Sequence, residues 1–271
     1  MTSTPIISIL NEIKNFYKPL IFIFLCTATL QLGLTFQTKF FESNLIPHFL
    51  IILFPLAVSV YSFVISRLYG GSKVFGRSYF AFGLGYFLIF LTELLYVYYY
   101  DISGQDVPEI ADYFLMTSYF LLLTHLIINI RYFSENLSTT QKAVIILTPA
   151  IIVPVYSLLV LGNVLDSDYA EAEIPYGLLG NVSYYYYSVI LVFLSSLTMG
   201  FAIVGFSLFR QTVLFTSWLL ILVGISVSTI GDLVYHYVEI LGGNWFESVT
   251  TLWIASNMIM LYALYRHQRA I

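Results

Sequence analysis

Glu93 and Asp232 are the only charged residues deep inside the long apolar stretches of this 271-residue chain, Asp112 standing at the very start of one. A carboxylate in the middle of a bilayer costs about 2.5–3.5 kcal/mol on insertion scales, so such residues usually face a bundle interior or a wet cavity and act on protons, ions or ligands. Asp232 belongs to a polar stripe, Gly224, Ser228, Asp232 and His236, spaced i, i+4, i+8, i+12. That spacing lays all four on one helix face. An imidazole one turn from a carboxylate suits proton exchange. Two further stretches carry polar groups: Ser118, His125 and Asn129 in one, Ser256 and Asn257 in another. The same residues have a structural reading, since small polar side chains and protonated carboxyls also bind helices to one another in lipid. His125 in particular suits a neutral imidazole bonded to Asn129 or a carbonyl, and His48 and His267 are expected near the interface.

The elements that carry these residues follow from composition. The chain is 59% hydrophobic and 10% charged, with a mean hydropathy of +0.86, whereas a soluble domain carries about 25% charged residues. This excludes a soluble enzyme, a nucleic-acid binder and a disulfide scaffold, the last also because Cys26 has no partner cysteine. About 20 apolar residues span a bilayer as a helix. Eight stretches qualify: Pro19–Phe36, Pro47–Ile65, Tyr79–Tyr99, Ile110–Ile130, Ala143–Leu161, Tyr185–Phe209, Val213–Tyr237 and Ser248–Tyr265. The expected fold is all-α: a polytopic membrane protein of eight transmembrane helices. Lys14 and Lys18 precede a first stretch long enough to span, so it reads as a retained helix rather than a cleaved signal.

Charge sorts along this count. Lys14, Lys18, Arg67, Lys73, Arg77, Arg131, Lys142, Arg210, Arg266 and Arg269 fall on one side, ten of the eleven basic residues, and Lys39 alone on the other. The second side collects Glu42, Asp101, Asp106, Glu109, Asp112, Asp166, Asp168, Glu171, Glu173, Glu239 and Glu247. Basic loops stay in the cytoplasm, so both termini are expected there, in a cell membrane. One span missed or invented would invert every later loop. Tyr96, Tyr98, Tyr99 and Tyr100, Tyr184 to Tyr187, and Tyr235 and Tyr237 all fall at the outer ends, where amphipathic rings favour the headgroups. The rings could also wall an apolar or cationic ligand. Glu93 and Asp232 lie about 8–10 Å below that belt at 1.5 Å per residue. Pro55, Pro149 and Pro154 each remove a backbone donor and are expected to kink their helices.

Glu93-Leu94-Leu95-Tyr96-Val97-Tyr98 resembles Asp232-Leu233-Val234-Tyr235-His236-Tyr237, and Ser118 and Asn257 each follow their acid by 25 residues. The copies lie four spans apart. A parallel four-plus-four duplication is therefore expected within one membrane domain, residues 1–136 repeating as 137–271, with a pseudo-twofold axis along the membrane normal. The axis would bring Glu93, Asp232, His236, Ser228, Ser118, His125 and Asn257 to one outward-facing polar site. No metal or other cofactor is expected, and the five lysines all lie outside the spans, which excludes a retinal Schiff base.

Gly85 to Arg131 resembles the membrane-embedded N-terminal sensor regions of prokaryotic histidine kinases and diguanylate cyclases. The matching residues are Glu93, Tyr96, Tyr98, Pro108, Ala111, Asp112, Tyr113, Phe114 and Tyr119, echoed more weakly from Gly224 to Arg266 without the proline and the Ala-Asp pair. The chain departs from those proteins in having no kinase or cyclase domain. The resemblance implies a sensor or ligand-binding protein working with a separate cytoplasmic signalling protein. The layout is also similar to lysoplasmalogenase-like eight-helix membrane hydrolases, with Glu93, Asp232 and His125 in helices 3, 7 and 4, although the local residue strings differ. That resemblance implies general acid–base attack on a lipid headgroup bond. A small-solute or proton-coupled transporter is a third reading.

Overall fold

The computed structural model describes residues 5–35, 45–70, 72, 74–103, 109–165, 177–240 and 246–270. They form α1 (Pro5–Thr35), α2 (Leu45–Leu68), α3 (Phe75–Tyr96), a π-helical turn (Val97–Ser103), α4 (Ile110–Phe133), α5 (Thr139–Leu165), α6 (Gly177–Phe209), α7 (Phe215–Ile240) and α8 (Phe246–Arg269). No strand occurs among the described residues. A helix satisfies its own backbone donors and acceptors, which is what an apolar solvent demands.

Most helices run a turn or more past the apolar windows, because local signals govern their ends. Ser138 caps α5 with Gln141: the Gln141 amide donates to Ser138 Oγ (3.2 Å) and the Ser138 amide to Gln141 Oε1 (2.9 Å). This reciprocal pair is a capping box. At α3 the amide of Phe75 donates to Ser72 Oγ (3.2 Å). Pro55, Pro149 and Pro154 lie within unbroken helical assignments, as does Pro19 in α1.

Seven of the helices, α1 to α7, are long and apolar enough to cross a membrane. Their outward faces carry exposed Phe22, Phe24, Phe49, Val60, Ile146, Ile151 and Leu158. Apolar exposure on this scale marks a lipid-facing surface. α8, which holds the eighth expected span, is as long as α4 but less apolar, with Thr250, Thr251, Ser256, Asn257 and His267 all buried. It packs against α7, α2 and α1. Protein neighbours therefore take up the polar face that lipid would reject.

The packing closes a ring: α2 on α3, α3 on α4, α4 on α6, α6 on α7, α7 on α8 and α8 back on α2. Outside it, α1 lies on α8 and α5 on α6. Exchanging α2, α3 and α4 for α6, α7 and α8 maps the ring onto itself. The flanking helices do not follow, because that exchange would carry α1 on α8 to α5 on α4.

The helices alternate in direction. At one end Tyr69, after α2, and Phe75, opening α3, each approach His267 of α8 at 5.8 Å between ring centres, and Phe133 closing α4 meets Phe209 closing α6 at 4.6 Å. Arg67, Arg77, Arg131, Lys142, Arg210 and Arg269 surround that end and are exposed. His267 lies at this end and is fully buried among these rings, because the junction of α2 and α3 covers the last turn of α8. At the opposite end stand Tyr96, Asp112, Tyr187 and His236. Of the eleven acids expected there, only Glu109 and Asp112 are among the residues whose side chains are described; the other nine lie outside them, as do the side chains of Tyr100 and Tyr184.

Candidate functional site

A cavity lies inside the ring toward the tyrosine end, between α3, α4, α6, α7 and α8. It offers about 100 Å³ to the centres of water-sized molecules, enough for several waters or one small solute. Glu93 enters from α3 and Asp232 from α7. Their helices stand across the ring from one another, and both carboxyls line the same cavity. No lysine or arginine lines the cavity.

Asp232 is 7% exposed and held on both oxygens. The Tyr119 phenol of α4 donates to Oδ2 at 2.6 Å, and the Trp253 indole of α8 donates to Oδ1 at 3.1 Å. Gly231 makes room for that indole: a Cβ at this position would lie 2.8 Å from Trp253 Nε1. Glu93 differs. It makes no hydrogen bond or ion pair among the described residues, and its exposure is to the cavity. One carboxyl is thus fixed by the protein and the other is free to take a proton, a water or a ligand.

Above the acids, Tyr96 of α3 and Tyr187 of α6 both donate to Asp112 Oδ1, at 2.7 and 2.8 Å. Asp112 sits in the first turn of α4, where the helix dipole favours an anion. Thr92, one residue before Glu93, donates to the Ala111 carbonyl at 3.2 Å. This corner ties three helices together beside the cavity. The π-helical turn that follows Tyr96 widens the backbone just beyond it, a feature frequent near functional sites.

Of the seven residues singled out from sequence, the cavity gathers five: Glu93, Asp232, His236, Ser228 and Asn257. Ser118 and His125 do not reach it. Ser118 turns its hydroxyl to the Leu115 carbonyl of its own helix (2.6 Å) and forms part of the α3–α4 seam, its carbonyl 3.2 Å from where a Cβ on Gly85 would lie. His125 points toward the basic end. Its Nδ1 meets Ser78 Oγ at 2.6 Å, Asn129 donates to the same Ser78 hydroxyl, and the ring packs against Tyr79, Phe82 and Trp218. Seven residues separate Ser118 from His125, nearly two turns, so the histidine lies a further ~10 Å along the axis.

Tyr86, Tyr119, Tyr187, Ser195 and Trp253 also line the cavity; of these the sequence pointed to Tyr187 alone, as part of a tyrosine belt able to wall a ligand. Gly231 beside Asp232 was the available signal for Trp253, since a glycine next to a buried acid makes space for a large neighbour. Tyr119 appeared only as a match to the sensor-region pattern. Comparison of the chain with family models, with characterised proteins and with solved structures finds no match.

Proposed function

We propose that this polytopic helical protein is of the ligand-binding, sensor type, with an outward-facing polar site built on Glu93 and Asp232. The observation that carries this reading is the convergence of the two carboxyls, from helices 139 residues apart in register, on one cavity with Ser228, His236 and Asn257. In this reading α8 is the eighth span. Its burial behind α1, α2 and α7 supports a crossing whose polar face never meets lipid. Both termini lie in the cytoplasm of a cell membrane, by the rule that basic loops stay inside. The chain is a four-plus-four duplication in which α3 and α7 correspond, an assignment supported by the self-mapping ring and by Gly85 and Gly224, each eight residues before its acid. Output passes to a separate cytoplasmic signalling protein through the basic end.

Hydrolysis through His125 is disfavoured, because that imidazole is occupied by Ser78 and lies outside the cavity. The test is proximity labelling in the native host, with the tag on the C-terminus. A kinase or cyclase should be captured, and its labelling should change with Glu93→Gln. Turnover of a lysolipid by the purified protein, abolished by either Glu93→Gln or Asp232→Asn, would overturn the sensor reading.

A further inference from the structure

Beyond the two acids, three features of the cavity bear on what it holds. The first is unmet hydrogen-bonding capacity. Asn257 is 7% exposed and lines the cavity, yet its carboxamide makes no hydrogen bond among the described residues. The Ser228 hydroxyl and the Glu93 carboxyl share this condition. Buried polar groups are nearly always bonded to something, and Asn257 is one; with the half-buried Ser228 and Glu93 it is directed at whatever occupies the cavity.

The second feature is charge. Two carboxyls face the cavity and no lysine or arginine does, so an anionic ligand is opposed and a cationic one is matched. The third is the wall. Tyr235 and Trp253 stand 5.4 Å apart between ring centres, Tyr235 and His236 4.9 Å, and His236 and Tyr187 6.2 Å. Tyr86 and Tyr119 close the opposite side. Aromatic faces attract cations through the ring quadrupole, most strongly where water is excluded. A metal ion would instead seek a closed set of oxygen or nitrogen ligands, and no cluster of three or more histidine, cysteine or acidic residues suited to a metal occurs among the described residues.

We infer that the cavity is a receptor for a small organic ammonium group, held between the Glu93 carboxylate and the Tyr235–Trp253 wall. Asn257 and Ser228 orient a polar substituent on the ligand, and Asp232, fixed by Tyr119 and Trp253, adds the second negative charge. This inference rests on the ligand-binding reading and names the ligand class. A free solute and a lipid headgroup both present such an ammonium; the cage recognises the same chemistry in both.

Direct binding to the full-length protein in nanodiscs of anionic, choline-free lipid tests it. The probes are choline, its neutral carbon isostere 3,3-dimethyl-1-butanol, and lysophosphatidylcholine. Choline should bind and the isostere should bind at least about tenfold more weakly, the scale of one lost charge contact. Glu93→Gln should weaken choline by a similar factor with no loss of folding, because Glu93 bonds to no protein group. Tyr235→Leu should weaken choline more than the isostere. Binding of lysophosphatidylcholine alone identifies a headgroup as the source and supports the same cage. Equal binding of choline and its isostere overturns the ammonium assignment and leaves a ligand site standing. If none of the three probes binds, the ammonium assignment also falls. The ligand-binding reading falls with it only if the Glu93→Gln protein also leaves partner labelling unchanged in cells.

Discussion

Asp232 and Glu93 show how one residue type takes two roles in one cavity. Asp232 receives a phenol and an indole, so its oxygens are already served. Removing one donor should therefore cost stability rather than create a new site. Tyr119→Phe is expected to lower the unfolding free energy in detergent by about 1 kcal/mol, the scale of an interhelical hydrogen bond in a membrane protein. Gly231→Ala places a Cβ 2.8 Å from the indole nitrogen and should displace Trp253 from the carboxylate. A loss of about 1 kcal/mol is expected, together with a red-shifted tryptophan emission. A Tyr119→Phe, Gly231→Ala double variant should lose more than the sum, because together the changes strip both oxygens of their ring donors, whereas each alone leaves one in place. Equal additivity, measured by the same unfolding assay, would show that the two donors act independently.

Helix contacts decide what those residues can reach. Gly205 of α6 sits under Trp218 of α7, where a Cβ would come within 2.2 Å of the indole ring. The indole cannot yield easily, being fully buried and stacked on Phe209 at 4.3 Å. Gly205→Ala is thus expected to separate α6 from α7 and destabilise the protein by about 1–3 kcal/mol, as overpacking does. Ser138→Ala acts on one helix only. It removes the cap of α5, an exposed element end, and should cost about 1 kcal/mol. A larger effect of Ser138→Ala than of Gly205→Ala on the thermal midpoint would contradict this ranking.

At the scale of the whole molecule the ends of the bundle differ in chemistry: exposed arginines and lysines at one, tyrosines with Asp112 at the other. If α8 crosses the membrane as proposed, the number of crossings is even and both chain ends lie on the basic side. With Cys26 replaced by alanine, a cysteine at Lys142 or Arg269 should resist a membrane-impermeant maleimide on intact cells, and one at Glu109 should react. Reaction at Arg269 with protection at Lys142 would mean that the last helices cross once fewer than expected.

Much of this organisation could be read from the chain alone. Transfer into lipid depends on local composition, so the seven apolar helices, the two buried acids and the sorting of bases to one end were all legible from residue types and spacing. The grouping of Ser228, Asp232 and His236 was legible too, because they share one helix face. The rest depended on rotation about each helix axis. In water a polar face marks which way a helix turns, but a helix apolar all round carries no such mark, and its contacts are set by close packing with neighbours. For this reason sequence left His125 two places, in the site or as a structural imidazole bonded to Asn129 or a carbonyl, and the fold gives it the second, against Ser78 and its carbonyl, while Tyr119 and Trp253, from α4 and α8, close on Asp232 of α7. Which carboxyl is satisfied by protein and which is left to a ligand was decided by the tertiary structure, since those donors stand 113 and 21 residues from the acid they hold.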